Sequence, residues 1–241
     1  MISMENISQN KYSKGWTSNF AYGVGLITSD GWLSKDIGRI GFGSKEPEMM
    51  ENFKKSFALK NKIGKHARGG EREKRYFQIN FRNVMLYNYL LSVGITPKKS
   101  KTIESVKIPD IFMPDFLRGL FDGDGTFYSS RDTRWPTSLV FKISFASASI
   151  VFIHWLKRRL NNLYGTNGYV HKGAGVFNLE YTKTDTRKLF RIMYYTADVL
   201  FLRRKCDKMK TVFRYDESLH RGGKVCRDSS MVEHSPEERA K

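Results

Sequence analysis

The chain has 241 residues, 40% of them hydrophobic, with 42 Lys and Arg against 24 Asp and Glu and a net charge of +18. This size and apolar content exclude global disorder and allow one large domain or two small ones, while the charge favours a polyanionic partner through counterion release and long-range steering. Two cysteines, Cys206 and Cys226, with no CxxC pair, exclude a zinc knuckle and a disulfide framework and fit a reducing compartment.

Met1 to Trp16 is polar and lacks the apolar segment of a secretory signal, and no stretch approaches the length of a bilayer span. Thr17-Ser18-Asn19 offers N-cap chemistry for a helix over residues 20–29, stopped by Asp30-Gly31. Residues 32–36 and 39–43 read as short strands. Glu46-Pro47 starts a second helix with Pro in its first turn, and Met49, Met50, Phe53 and Phe57 follow at helical spacing. Residues 61–80 read as a hairpin turning at Gly69-Gly70, and 84–93 as a third helix ended by Ile95-Thr96-Pro97.

After a short linker, residues 108–114, the order returns. A helix over 116–123 opens at Pro114-Asp115. Strands over 126–130 and 138–146 are split by a polar turn with Trp135-Pro136. Residues 149–163 form a helix with Phe152, Ile153, Leu156, Leu160 and Leu163 on one face. A hairpin over 168–171 and 175–182 precedes a helix capped by Asp185 and running to about Ala197. The pattern is an α+β fold of two pseudo-symmetric αββαββα repeats, residues 17–106 and 107–214. The polar stretch 215–241 reads as a flexible tail.

The repeat carries a motif. Gly25-Leu26-Ile27-Thr28-Ser29-Asp30-Gly31 returns as Gly119-Leu120-Phe121-Asp122-Gly123-Asp124-Gly125, a separation of 124 − 30 = 94 residues. These segments resemble the LAGLIDADG motif, and two of them in one chain resemble the single-chain LAGLIDADG homing endonucleases. The second copy, from Leu117-Arg118, is a close match. The first departs from it, with Gly23 where Leu is usual and Thr28 where Asp is usual. The resemblance implies that the four strands of each half form an antiparallel sheet, and that the sheets make a saddle over the DNA major groove.

Elementary chemistry agrees with that implication. Small residues at Gly23, Gly25 and Gly119 allow two helices to approach closely, and Gly31 and Gly125 allow a left-handed turn after each. Asp30 and Asp124 then sit at helix C-termini, where the macrodipole is already negative. A divalent cation relieves such a pair, so the expected ligands are Asp30, Asp124, Ser29 and Gly123, with Mg²⁺ as cofactor and Mn²⁺ or Ca²⁺ able to substitute for binding. An EF-hand is excluded, because a Glu at the twelfth loop position is missing after Asp122. Asp122 is expected to make local hydrogen bonds at the helix end. In the family a lysine lies near the scissile phosphate after the third helix. Matching the repeats gives Lys101 and Lys205 as catalytic candidates, with Lys99 and Arg203 two residues earlier. The positions matching the family's water-positioning residue lie near Lys45 and Ala148, and Ala148 has no polar group for that task.

Donors for DNA are expected at Lys35, Arg39, Lys65, His66, Arg68, Arg72 and Arg75 in the first half, and at Arg131, Arg134, Lys142, His171 and Lys172 in the second. Gln78 and Asn80 suit adenine. The resemblance implies a monomeric, Mg²⁺-dependent, site-specific double-strand DNA endonuclease that makes its own intron or gene mobile. The alternatives are an RNA maturase acting on intron RNA and a non-catalytic DNA-binding regulator. The chain lacks an intein-like first Cys or Ser and ends Ala240-Lys241, so the expectation is an intron-encoded or free-standing gene. The expected location is a prokaryotic cytoplasm and nucleoid or an organelle matrix.

Overall fold

The computed structural model describes residues 15–36, 38–67, 75–131 and 139–225. The first half contains α1 (Ser18–Ser29), β1 (Gly31–Leu33), β2 (Arg39–Ser44), α2 (Pro47–Ser56), β3 (Gly64–His66), β4 (Tyr76–Arg82), α3 (Val84–Ser92) and the single turn α4 (Lys99–Thr102). The second contains a 3₁₀ turn (Asp110–Phe112), α5 (Met113–Asp124), β5 (Gly125–Arg131), β6 (Leu139–Ser147), α6 (Ile150–Tyr164), β7 (Tyr169–Lys172), β8 (Phe177–Tyr181), α7 (Lys183–Met193) and α8 (Arg203–Val225). Each half folds one four-stranded antiparallel sheet, in the orders β1-β2-β4-β3 and β5-β6-β8-β7. The expected αββαββα order is therefore present twice.

Local chemistry sets the helix starts. Thr17 Oγ1 accepts from Phe20 N at 3.1 Å, Asn83 Oδ1 from Leu86 N at 2.9 Å, and Ser149 Oγ from Phe152 N at 3.3 Å. Each such cap contributes about 1 kcal/mol. Alternation then assigns the sheet faces. Ile40, Phe42, Ile79 and Phe81 in the first sheet, and Phe127, Ile143, Phe145 and Leu179 in the second, are buried against the helices. Phe42 stacks on Phe53 of α2 with ring centres 4.3 Å apart. The opposite face of each sheet is left open.

The two motif helices cross at glycines. A Cβ on Gly25 would stand 2.3 Å from Phe116 O, and one on Gly119 would stand 2.1 Å from Tyr22 O. Backbone thus touches backbone, as the small residues predict. Gly23 differs, because its open side faces Phe57 and Ser56 at the end of α2, not α5.

Four further expectations are corrected. Neither Gly31 nor Gly125 has positive φ; Gly125 is extended at φ −74°, ψ 147°. What excludes a side chain there is the preceding helix, since a Cβ would lie 2.6 Å from the Cα of Ile27 or of Phe121. Thr182, not Asp185, occupies the N-cap of α7, and Asp185 Oδ2 accepts from Asn167 N at 2.7 Å. α7 ends at Met193, short of Ala197. The chain from residue 215 does not begin a flexible tail, because α8 continues to Val225. Asp216 holds it: this carboxylate is 2% exposed, accepts from Arg187 Nη2 at 2.8 Å, and pairs with Lys183. The expected turns at Gly69-Gly70 and Trp135-Pro136, the candidates Arg68, Arg72 and Arg134, and residues 226–241 lie outside the described residues. Among the described residues no helix is long and apolar enough to cross a membrane.

Candidate active site

The C-terminal ends of α1 and α5 meet beside one another. Asp30 is the C-cap of α1 and Asp124 the last residue of α5, and both are exposed. The helices come so close that a Cβ on Gly123 would fall 1.9 Å from Ser29 Oγ and 2.8 Å from Asp30 Oδ2. Asp124 keeps access to solvent while protein crowds it. This desolvation raises its carboxyl pKa, against the opposing pull of Lys99 and Lys205.

Two lysines reach the helix ends from outside the motifs. Lys205, in the first turn of α8, donates to Phe121 O at 2.7 Å, Gly123 O at 3.1 Å and Gly125 O at 2.6 Å. Lys99, at the start of α4, is 5% exposed and donates to Ser29 O at 3.2 Å. Each ammonium therefore meets backbone carbonyls at or just after a helix C-terminus, where a cation complements the macrodipole. Burial pushes both lysines down to about 8, opposed for Lys99 by Asp124 and Asp30, and for Lys205 chiefly by Asp122. Lys101, by contrast, is exposed. Lys99, two residues before the expected match, is thus the lysine that reaches the end of α1 as Lys205 reaches that of α5. Lys98 just before it has φ +59°, a left-handed residue that aims Lys99 inward.

The approach to Lys205 is fixed by buried polar contacts. Arg118, fully buried on α5, donates to Leu200 O, Met193 O and Asp115 Oδ1, each at 2.6 Å. Asp122 Oδ2 accepts from Leu202 N and from the Tyr22 hydroxyl, each at 2.7 Å. Asp122 thus joins both motif helices to the start of α8, a long-range role and not the local one expected. Burial raises its pKa to about 6, against the hydrogen bonds from Tyr22 and Leu202. Thr28, its counterpart, donates to Val24 O at 2.8 Å within its own helix.

A cleft of about 80 Å³ opens beside Asp124, lined by Thr28, Ser29, Lys99, Ser147 and Ala148 among others. Ala148 lies where a water-positioning residue was sought, while Lys45 sits over the Tyr76 ring at 4.8 Å. The donor set suits a hard divalent cation: the Asp30 and Asp124 carboxylates beside the Ser29 and Gly123 carbonyls, each of which also accepts from a lysine. Among the described residues no three His, Cys, Asp or Glu converge, so a zinc-type cage is not formed and water or phosphate oxygens would complete the shell.

The open faces divide the remaining candidates. Arg39, His66, Gln78 and Asn80 share the open face of the first sheet, and Lys142 and His171 that of the second. Gln78 Nε2 donates to Asn80 Oδ1 at 3.2 Å. Lys65 lies on the opposite face, over the Phe77 ring at 5.6 Å. Lys172 faces the same way as Phe177, and Arg131 turns to the Tyr215 hydroxyl of α8 at 3.3 Å. Lys35 and Arg75 are exposed just outside the strands. Sequence reasoning missed Trp32, Arg82, Tyr128, Tyr169 and Glu180, all on the open faces. Alternation from His171 back to Tyr169, or from Asn80 on to Arg82, was signal enough for two of them.

No family model and no curated protein matches the chain by sequence. Solved structures match its fold. The LAGLIDADG meganuclease I-AabMI bound to uncleaved DNA aligns over 84% of this chain and 92% of its own, with TM-score 0.59 and 12% identity. The homing endonuclease I-WcaI bound to its DNA recognition sequence aligns over 81% and 89%, with TM-score 0.52 and 12% identity. Full-length DUF199/WhiA from Thermatoga maritima aligns over 89% and 70%, with TM-score 0.52 and 14% identity. These likenesses, at such identities, concern the fold. The chain shares the fold of these LAGLIDADG structures, with one four-stranded sheet in each of its two motif-bearing halves.

Proposed function

We propose that the protein is a site-specific DNA endonuclease that acts as a monomer and hydrolyses one phosphodiester on each strand of a long, asymmetric target. The observation that carries this reading is the meeting of two acidic helix ends, Asp30 and Asp124, with the buried Lys99 and the half-buried Lys205 beside them and an open sheet alongside. A pure DNA binder gains nothing from two carboxylates at the centre of a basic surface, where they repel phosphate.

Asp30 and Asp124, with the Ser29 and Gly123 carbonyls, would hold Mg²⁺. The bound cation supplies an activated water and offsets charge on the phosphate. The chain's own groups do the rest. Lys99 and Lys205 place positive charge within reach of the scissile region, and near pH 7 their values of about 8 keep both largely protonated. Arg39, Asn80, Lys142 and the neighbouring open-face residues would hold the duplex in register, in the way a two-stranded ribbon enters the major groove. Divergent halves suit a target without two-fold symmetry, and such an enzyme promotes the mobility of its own intron or gene. Its place is where DNA is accessible, in a prokaryotic nucleoid or an organelle matrix.

The test is a supercoiled plasmid library carrying randomised inserts, incubated with the protein and Mg²⁺. Recovery of linear product from a defined insert supports the nuclease. Absence of cutting with tight sequence-selective duplex binding indicates a regulator, and absence of cutting with tight intron-RNA binding indicates a maturase.

A further inference from the structure

The open face of the second sheet holds a carboxylate where a polyanion is expected to lie. Glu180 on β8 is 7% exposed. Lys142 of β6 donates to its Oε2 at 2.7 Å, the Tyr169 hydroxyl of edge strand β7 donates to the same oxygen, and His171 Nε2 lies 3.1 Å from Oε1. The three partners are much less buried: the Lys142 and His171 side chains are 34% and 43% exposed, and Tyr169 is 44% exposed. The Tyr169 and His171 rings stack with centres 5.8 Å apart. One buried acceptor therefore anchors three groups that face outward.

An ionised carboxylate only accepts hydrogen bonds, so each of these contacts fixes a proton on the partner. Burial pushes the Glu180 carboxyl up, but the bonds from Lys142, Tyr169 and His171 outweigh it and hold it below the usual range. Tyr169 has a single hydroxyl hydrogen. Once that hydrogen points at Glu180, the oxygen offers only lone pairs to anything above the sheet. His171 turns Nε2 to Glu180 in the same way, and its other ring nitrogen, Nδ1, is an acceptor when the ring is neutral. The first sheet is built differently. Phe42 and Phe145 each pair with the glycine that opens the first strand of their sheet, and this alignment makes Asn80 the counterpart of Glu180 and Arg39 that of Lys142. Arg39 stands opposite Arg82 there, a donor-only pair.

We propose that Glu180 is a positioning residue for sequence choice. It turns the Tyr169–His171 edge of the second sheet into an acceptor surface. That surface suits base pairs presenting an exocyclic amino group in the major groove, cytosine N4 or adenine N6, over guanine O6 or thymine O4 at the same place. This rests on the reading of the open faces as the DNA surface.

The test is selection of duplexes by binding from a randomised library, in the Asp30→Asn, Asp124→Asn background that removes cutting. With Glu180 present, one or two adjacent positions of one half-site favour an amino-bearing base by about tenfold, the size of one good base contact. Glu180→Gln flattens those positions and leaves the other half-site unchanged, whereas a merely structural role would weaken all positions together. Tyr169→Phe weakens the same positions, and it carries the test if circular dichroism shows that Glu180→Gln does not fold. An unchanged profile in the folded variant, or a guanine or thymine preference at those positions with Glu180 present, overturns the inference. Failure of the background chain to select any sequence overturns the DNA reading itself, and the inference with it.

Discussion

The ends of α1 and α5 carry the same motif and are built to different tightness. At the α5 end, Lys205 binds three carbonyls and Asp122 reaches both Tyr22 and Leu202. At the α1 end, Lys99 binds one carbonyl at 3.2 Å and Thr28 bonds only to its own helix. The difference teaches that a repeat conserves the placement of charge more than the means of holding it. In both halves an ammonium, buried at Lys99 and half-buried at Lys205, sits at a helix C-terminus beside an aspartate. In the second half it is locked by a polar network, and in the first it is held mainly by packing and by a left-handed residue, Lys98.

That comparison breaks most completely if the helices are pushed apart. Gly119→Ala places a methyl 2.1 Å from Tyr22 O, where neither backbone has room to give. The expected loss is about 3 kcal/mol in a denaturant titration, with both ends disturbed at once. Next in size is the anchor that only the second half carries among the described residues. Asp216→Asn weakens the pairing with Lys183 and Arg187 by about 2 kcal/mol. Burial pushes the Asp216 carboxyl up, but Lys183 and Arg187 hold it below its ordinary 3.8. Its stabilisation is complete above the unfolded value of 3.8 and lost as pH falls through the lower folded value. The deficit of the variant, measured by thermal unfolding, therefore shrinks on acidification below about pH 4.

The smallest effect sharpens the comparison. Lys205→Met leaves three carbonyls short of a donor and costs about 1 to 2 kcal/mol. Lys99→Met loses one long hydrogen bond and relieves a buried charge, and its stability stays within about 0.5 kcal/mol of the parent. Equal losses in the two variants would mean that the two ends are held alike.

Much of this was legible in the residues. The glycines at 25 and 119, the Asp-Gly stops and the 94-residue spacing identified two helices that meet and the atoms at their ends. Arg39, Gln78, Lys142 and His171, named as donors on predicted strands, do lie on the open faces. The rest depended on distances that no sequence spacing encodes. Lys99 and Lys101 differ by two residues within one short helical turn, of which Lys99 is buried and Lys101 exposed. Asp122 finds Tyr22 and Leu202 across 100 and 80 residues. The tail expected from residue 215 begins no earlier than 226, because the polar stretch carries one buried carboxylate, Asp216, which fastens the helix that holds it. Lys65 and Lys172 were basic and on strands, but one step out of phase with the open face.

The most direct measurement is a strand-resolved cleavage assay on an end-labelled duplex carrying the selected target, with Mg²⁺. The account predicts one cut on each strand, a few base pairs apart, and loss of both by at least about a thousandfold when Asp30→Asn and Asp124→Asn are combined, with duplex binding retained. Cutting that survives in the doubly substituted chain would contradict the assignment of the two helix ends as the site of hydrolysis.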